Sequence, residues 1–204
     1  TANIYFILLE YFDKGTLYDQ MIKNHKDKTP FTEAQIYKII YGIAIGIKSI
    51  HNNKYAHRDI RPENILIGNN DTMKICDFGS ATNKLYDVIN HNNRSDAIID
   101  TIRSTCIHFR APEQFELYIG YGINEKVDIY ALGIILYMLL INYVPISATN
   151  GTTNNSYFMY YNEGVIGKKS NALLHNEIKK IINPFLYELM KNMLKENPKE
   201  RLSI

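Results

Sequence analysis

The sequence predicts an α+β chain, mainly helical, in which one large helical core carries a small β element. Three observations lead there. Ile36, Ile39, Ile40, Ile43, Ile47 and Ile50 recur on one face at helical spacing. No residue from 129 to 146 carries a charge, which suits a helix that is apolar on every side and buried. Two short segments, 65–67 and 73–76, flank Gly68-Asn69-Asn70-Asp71 and read as a β-hairpin.

At 204 residues and 46% hydrophobic, the chain can bury one substantial core. A formal charge of +2 gives no reason to expect nucleic acid or an anionic membrane as a partner. Cys76 and Cys106 stand far apart without metal-ligand spacing, and two thiols in a reducing cytoplasm are expected. The uncharged run 129–146 approaches the lower length limit for a bilayer span. Gly133, Asn142, Pro145 and three tyrosines interrupt it and Asp128 precedes it, so a core helix is expected over a span. No basic region precedes the short apolar run at the start, and no secretory signal is expected.

In chain order, residues 5–9 are a continuous apolar run ending at Glu10, short enough for a buried strand. A lone strand cannot satisfy its own backbone groups, so its sheet partners are expected upstream of Thr1. Asp13-Lys14-Gly15 is a turn signal, and 16–25 suits a short helix. Thr32 with Gln35 makes a capping-box pattern that opens the long helix, expected over 33–50. Residues 86–103 are polar and weakly periodic, and a loop of that length is expected to be functional or disordered rather than packed. The Ser/Thr/Asn/Gly tract 147–156 reads as a flexible insertion. A last helix is expected near 183–194, entered through Asn183-Pro184.

Between the long helix and the hairpin stands His57-Arg58-Asp59-Ile60-Arg61-Pro62-Glu63-Asn64, and after the hairpin Asp77-Phe78-Gly79. Taken alone, an Asp in a loop is usually a turn or cap residue. Together, Asp59 supplies a carboxylate able to orient a hydroxyl. Asn64 and Asp77 supply the hard oxygens that Mg²⁺ prefers. Phosphoryl transfer calls for that set, because its catalysis is mostly positioning and charge neutralisation. The spacing Asp-x-x-x-x-Asn, followed by Asp-Phe-Gly and then Ala111-Pro112-Glu113, matches the protein-kinase signature.

On these residues the chain resembles a eukaryotic protein kinase, and Phe109-Arg110-Ala111-Pro112-Glu113 is similar to the serine/threonine type. The resemblance implies a partial kinase domain over 1–204: hinge strand and hinge at 1–15, and C-terminal lobe at 16–204. It puts an activation segment at 77–113 and the insertion at about 147–156. The Gly-rich loop, the strand lysine and its Glu partner would lie before Thr1, and without them weak ATP binding is expected. ATP and Mg²⁺ are the implied cofactors, and a protein Ser/Thr hydroxyl the implied acceptor. Asp59, Arg61 and Asn64 would be catalytic. Glu10, Phe12, Leu66 and Asp77 would bind nucleotide, with Leu9 as gatekeeper, and Asn64 and Asp77 would hold the metal.

Arg61 stands where serine/threonine kinases usually have a lysine that meets the transferred phosphate. Cys106 stands where a threonine usually bonds the catalytic Asp, with Thr105 beside it as a substitute. The resemblance further implies that His57 and Phe78 are members of the regulatory hydrophobic spine, that Glu113 and Arg201 form a buried ion pair, and that Asp128 accepts backbone N–H groups of the His57 loop. Arg58 would pair with a phosphate on Ser95, Thr101, Ser104 or Thr105, or with Asp96 or Asp100.

A narrower likeness lies in Cys76-Asp77-Phe78-Gly79-Ser80-Ala81-Thr82-Asn83-Lys84, similar to the Numb-associated kinases. That group contains the adaptor-associated, cyclin-G-associated and fungal actin-regulating kinases. It implies substrates among clathrin-adaptor and endocytic proteins, and a cytoplasmic location, peripheral at endocytic membranes. Arg61 and Cys106 keep a second reading open, a pseudokinase or scaffold module. A small-molecule kinase of related fold is disfavoured by Ala111-Pro112-Glu113.

Overall fold

The computed structural model describes residues 6–84, 105–115, 122–142 and 183–204. The loop 86–103 and the insertion 147–156 lie outside the described residues, as do Ser95, Thr101 and Ser104. The helices are α1 (Leu17–Lys26), α2 (Glu33–Asn52), the four-residue α3 (Pro112–Phe115), α4 (Lys126–Leu140) and α5 (Pro184–Met193). The strands β1 (Ile65–Ile67) and β2 (Met73–Ile75) pair antiparallel, Ile65 opposite Ile75 and Ile67 opposite Met73. The mainly helical architecture with one small hairpin is the one expected.

Local chemistry sets the helix starts. At α1, the Asp19 backbone N–H donates to Thr16 Oγ1 at 3.1 Å and the Thr16 N–H donates back to Asp19 Oδ2 at 2.9 Å. These bonds to Thr16 hold the Asp19 carboxyl below its usual range. At α2, Thr32 and Gln35 close the expected box, with the Thr32 N–H donating to Gln35 Oε1 at 2.8 Å. All six isoleucines of the predicted stripe are buried. Asn183 caps α5 through its Oδ1, which accepts from the Phe185 N–H at 2.8 Å, with Pro184 in the first turn.

The α2 helix sets the position of the hairpin. A Cβ on Gly42 would come within 2.9 Å of the Met73 side chain, and one on Gly46 within 2.8 Å of Ile75 Cδ1. The two glycines, one turn apart, therefore let β2 lie directly against the helix. The other face of α2 meets α4, which is buried continuously from Val127 to Leu139. This is the core helix expected from the uncharged run. It ends at Leu140, and residues 143–146 of that run lie outside the described residues. No described helix is long and apolar enough to cross a membrane.

Helices α4 and α5 meet at Gly133, where a Cβ would stand 2.5 Å from Leu194 Cδ2 and 2.9 Å from Met193 Cβ. Alanine there gains about 1 kcal/mol of helix propensity but overpacks a fully buried contact, at about 1–3 kcal/mol. We therefore expect Gly133→Ala to lower stability in urea denaturation. A more stable variant would mean that Leu194 gives way freely.

The hinge strand expected over 5–9 is corrected. Tyr5 lies outside the described residues, and 6–12 have no regular secondary structure. Leu8 is 99% exposed and Ile7 84%. The physical reason is pairing. The sheet among the described residues has two strands, both in the hairpin, so this run finds no neighbouring strand for its main-chain groups.

Candidate active site

The loop following α2 is shaped from below by Asp128, in the first turn of α4 and 0% exposed. Its Oδ2 accepts the His57 backbone N–H at 2.8 Å, and its Oδ1 accepts the Arg58 N–H, also at 2.8 Å. Arg58 has φ +68°, a left-handed conformation costing roughly 1–2 kcal/mol for a residue with a Cβ. The carboxylate offsets that strain, because it holds two consecutive N–H groups in one orientation. Ile60, 1% exposed, anchors the loop in the core on the other side.

His57 is fully buried and bridges the loop to the hairpin. Its Nδ1 accepts the Asp59 N–H at 3.3 Å, and its Nε2 lies 3.1 Å from the Cys76 carbonyl. Those two bonds together assign the neutral tautomer with the proton on Nε2. The His57 ring meets Phe78 edge-on at 5.0 Å between centroids.

Asp59 and Asn64 are bound to each other. Asn64 Nδ2 donates to Asp59 Oδ2 at 2.8 Å and to the Asp59 carbonyl at 2.9 Å. Both amide hydrogens are thus engaged, and the Asn64 carbonyl oxygen is the end left to accept or to ligate. The Asn64 main-chain carbonyl accepts the Cys76 N–H at 2.9 Å, which brings Asp77, the next residue, to the same place. Asp77 has φ +60° and its Oδ1 accepts the Gly79 N–H at 3.2 Å, so its second oxygen turns elsewhere. An amide oxygen and a carboxylate are hard donors that fit Mg²⁺. No cluster of three His, Cys, Asp or Glu converges among the described residues.

Arg61 departs from its expected setting. Its guanidinium forks onto Glu63, Nε to Oε2 at 2.9 Å and Nη2 to Oε1 at 2.6 Å. That bond is the main reason its pKa is raised above the ordinary arginine value. Cys106 lies within electrostatic reach of Arg61 and Asp59, and burial pushes its thiol up, so it stays a neutral, weak donor. Thr105 is engaged elsewhere, its Oγ1 accepting from Arg110 Nε at 2.6 Å. We expect Cys106→Thr to leave phosphate transfer equal or faster, since a hydroxyl is the better donor toward Asp59. A large loss in a steady-state assay would show that the thiol has another role.

Of the residues expected on the nucleotide, Phe12 packs its ring over Gly68, and Leu66 is bridged through its backbone to Thr16. Glu10 lies in the exposed stretch 6–12 and is not drawn to the Asp59 cluster by any described bond. The Glu113–Arg201 pair is present: Nη1 to Oε1 and Nη2 to Oε2 are both 2.6 Å, with both side chains 0% exposed. Arg58 Nε donates to the Ser80 carbonyl at 2.6 Å.

Sequence reasoning missed two residues. His51 sends Nε2 to Asp128 Oδ2 at 2.9 Å, a third donor on that carboxylate. Glu63 claims the Arg61 fork. The signal for Glu63 was its place two residues after Arg61. Nothing local marked His51.

The Protein kinase domain family matches the chain along residues 1–204. The chain belongs to the protein kinase family. It is 36% identical over 184 residues to a probable serine/threonine-protein kinase of Dictyostelium discoideum, covering 88% of this chain and 16% of that protein. It is 32% identical over 203 residues to serine/threonine-protein kinase AKL1 of Saccharomyces cerevisiae, covering 97% of this chain and 16% of that protein. Actin-regulating kinase 1 of the same yeast is 30% identical over 196 residues, covering 92% of this chain and 30% of that protein. The chain thus spans between 16% and 30% of the length of these relatives.

Proposed function

We propose that this kinase domain serves ATP-dependent phosphate transfer to serine or threonine hydroxyls of proteins. The single observation that carries the reading is the Asp59–Asn64 pair, set on a loop whose backbone is clamped by a fully buried Asp128. In this reading Asp59 orients the acceptor hydroxyl and takes up its proton. Asn64 and Asp77 hold Mg²⁺, which supplies neutralisation of the phosphate charge when bound. Phe12 and Leu66 contribute to the nucleotide side, with Glu10 in the adjoining segment. Release of Arg61 from Glu63 would let its guanidinium face the transferred phosphate.

The narrower proposal is membership of the Numb-associated group, with substrates among clathrin-adaptor and endocytic proteins in the cytoplasm, peripheral at endocytic membranes. The run 76–84 supports it, as does likeness to a yeast protein named actin-regulating kinase. A pseudokinase or scaffold is the second reading, favoured by the Arg61–Glu63 fork and by the weak Cys106 donor. Phosphate transfer to an adaptor-derived threonine peptide, measured on the full chain against Asp59→Asn, separates the two. Transfer that depends on Asp59 supports the enzyme, and equal rates support the scaffold.

A further inference from the structure

A cavity of about 280 Å³ lies beside the loop that carries Asp59, and none of Asp59, Asn64 and Asp77 lines it. Three segments form its walls: the end of α2 with His51 and Lys54, the Ala56–Thr82 bridge with Lys84 just beyond, and Glu125 ahead of α4. The bridge is a pair of reciprocal backbone bonds, Ala56 N–H to the Thr82 carbonyl at 2.8 Å and Thr82 N–H to the Ala56 carbonyl at 3.0 Å.

The lining is short of negative charge. Among the described residues neither the Lys54 nor the Lys84 ammonium has an ion-pair or hydrogen-bond partner. Glu125 is the one carboxylate of the lining. Its neighbour Lys126 turns away, its Nζ bound to the Arg201 and Leu202 carbonyls at 3.0 Å and to Ser203 Oγ at 2.6 Å. The last carbonyls of α2, which would repel an anion, are covered by their own chain. His51 O accepts the Lys54 N–H at 2.9 Å, and Ile50 O accepts from Asn53 and Tyr55 at 3.1 and 3.2 Å. Thr82, which lines the cavity, accepts the Lys84 N–H on Oγ1 at 3.1 Å, and its own hydroxyl proton is left to donate.

We propose that this cavity binds a phosphate group, free or as a monoester, between Lys54, Lys84 and the Thr82 hydroxyl. Two ammonium groups and a hydroxyl are separate donors that a tetrahedral dianion can satisfy at once. The site would also bear on the catalytic loop. His51, one wall, bonds the same Asp128 oxygen that holds the His57 N–H, and the Ala56–Thr82 bridge, another wall, ties that loop to the chain after Phe78.

The test uses the full chain at constant ionic strength and pH, without nucleotide or acceptor. Inorganic phosphate and O-phosphoserine are titrated while the His51 ring resonances and the exchange rates of the Ala56 and Thr82 amides are followed. The expected result is a saturable shift at His51 and slowed exchange at both amides. Affinity should fall at least tenfold in a Lys54→Gln/Lys84→Gln variant and rise in Glu125→Gln. Tighter binding of phosphoserine would identify a side-chain source, and tighter binding of inorganic phosphate a free one. A response that never saturates, or one indifferent to these substitutions, overturns the proposal. None of the readouts needs phosphate transfer, so this outcome is independent of the catalytic reading.

Discussion

Asp59→Asn in the full chain is expected to cut phosphate transfer by about 10²–10⁴-fold, the usual contribution of a positioned general base, while ATP binding persists. The structure explains why the two effects should separate. Asn64 donates to the Asp59 side chain and to its carbonyl, and the Asp59 N–H donates to His57 Nδ1. An asparagine keeps the backbone bonds and can still accept from Asn64 through its amide oxygen, so the loop should stay in place. What it loses is the negative charge and basicity that, in the proposed reading, would draw the proton from the acceptor hydroxyl. Single-turnover transfer and nucleotide titration on the same samples would measure both. Equal transfer by mutant and wild type would remove Asp59 from the mechanism.

The largest stability effect is expected at Arg201. Arg201→Met strands the Glu113 carboxylate where both side chains are 0% exposed, and breaking a buried pair from one side costs about 3–5 kcal/mol. Arg201 also donates to the Lys195, Glu196 and Lys126 carbonyls at 2.6, 2.9 and 3.3 Å, and its guanidinium lies 4.8 Å from the Tyr130 ring centroid. Glu113→Gln leaves all of those in place, so it should cost less than Arg201→Met. The double variant should cost less than the sum of the two, because the stranded charge is gone. Urea denaturation with linear extrapolation gives each value. A loss below about 1 kcal/mol for Arg201→Met would mean the pair is not a structural lock.

These two sites differ in how visible they were. The Asp59–Asn64–Asp77 set was legible because its members stand at short, fixed spacings around a hairpin, and their residue types have few other uses in that combination. Glu113 and Arg201 stand 88 positions apart, and only the family resemblance paired them. The capping box at Thr32 and the isoleucine stripe of α2 followed from local rules acting within one or two turns. Residues 6–9 form no strand among the described residues, because an apolar run specifies a strand only when another strand lies beside it, and that neighbour is a property of the whole fold.

The sequence by itself determined the helical class, the long helix α2, the hairpin, the buried α4 and the spacing that sets Asp59, Asn64 and Asp77 around that hairpin. Each rests on periodicity or spacing over a few residues, where physical preference and chain order coincide. Tertiary structure alone decided that Arg61 forks onto Glu63, that Thr105 serves Arg110, and that His51 joins His57 and Arg58 on one buried carboxylate. Such choices depend on which donor reaches which acceptor after packing, and hydrogen bonds are decided within tenths of an ångström. The fold brings His51 to Asp128 across 77 residues, a distance at which no local pattern in the chain carries information.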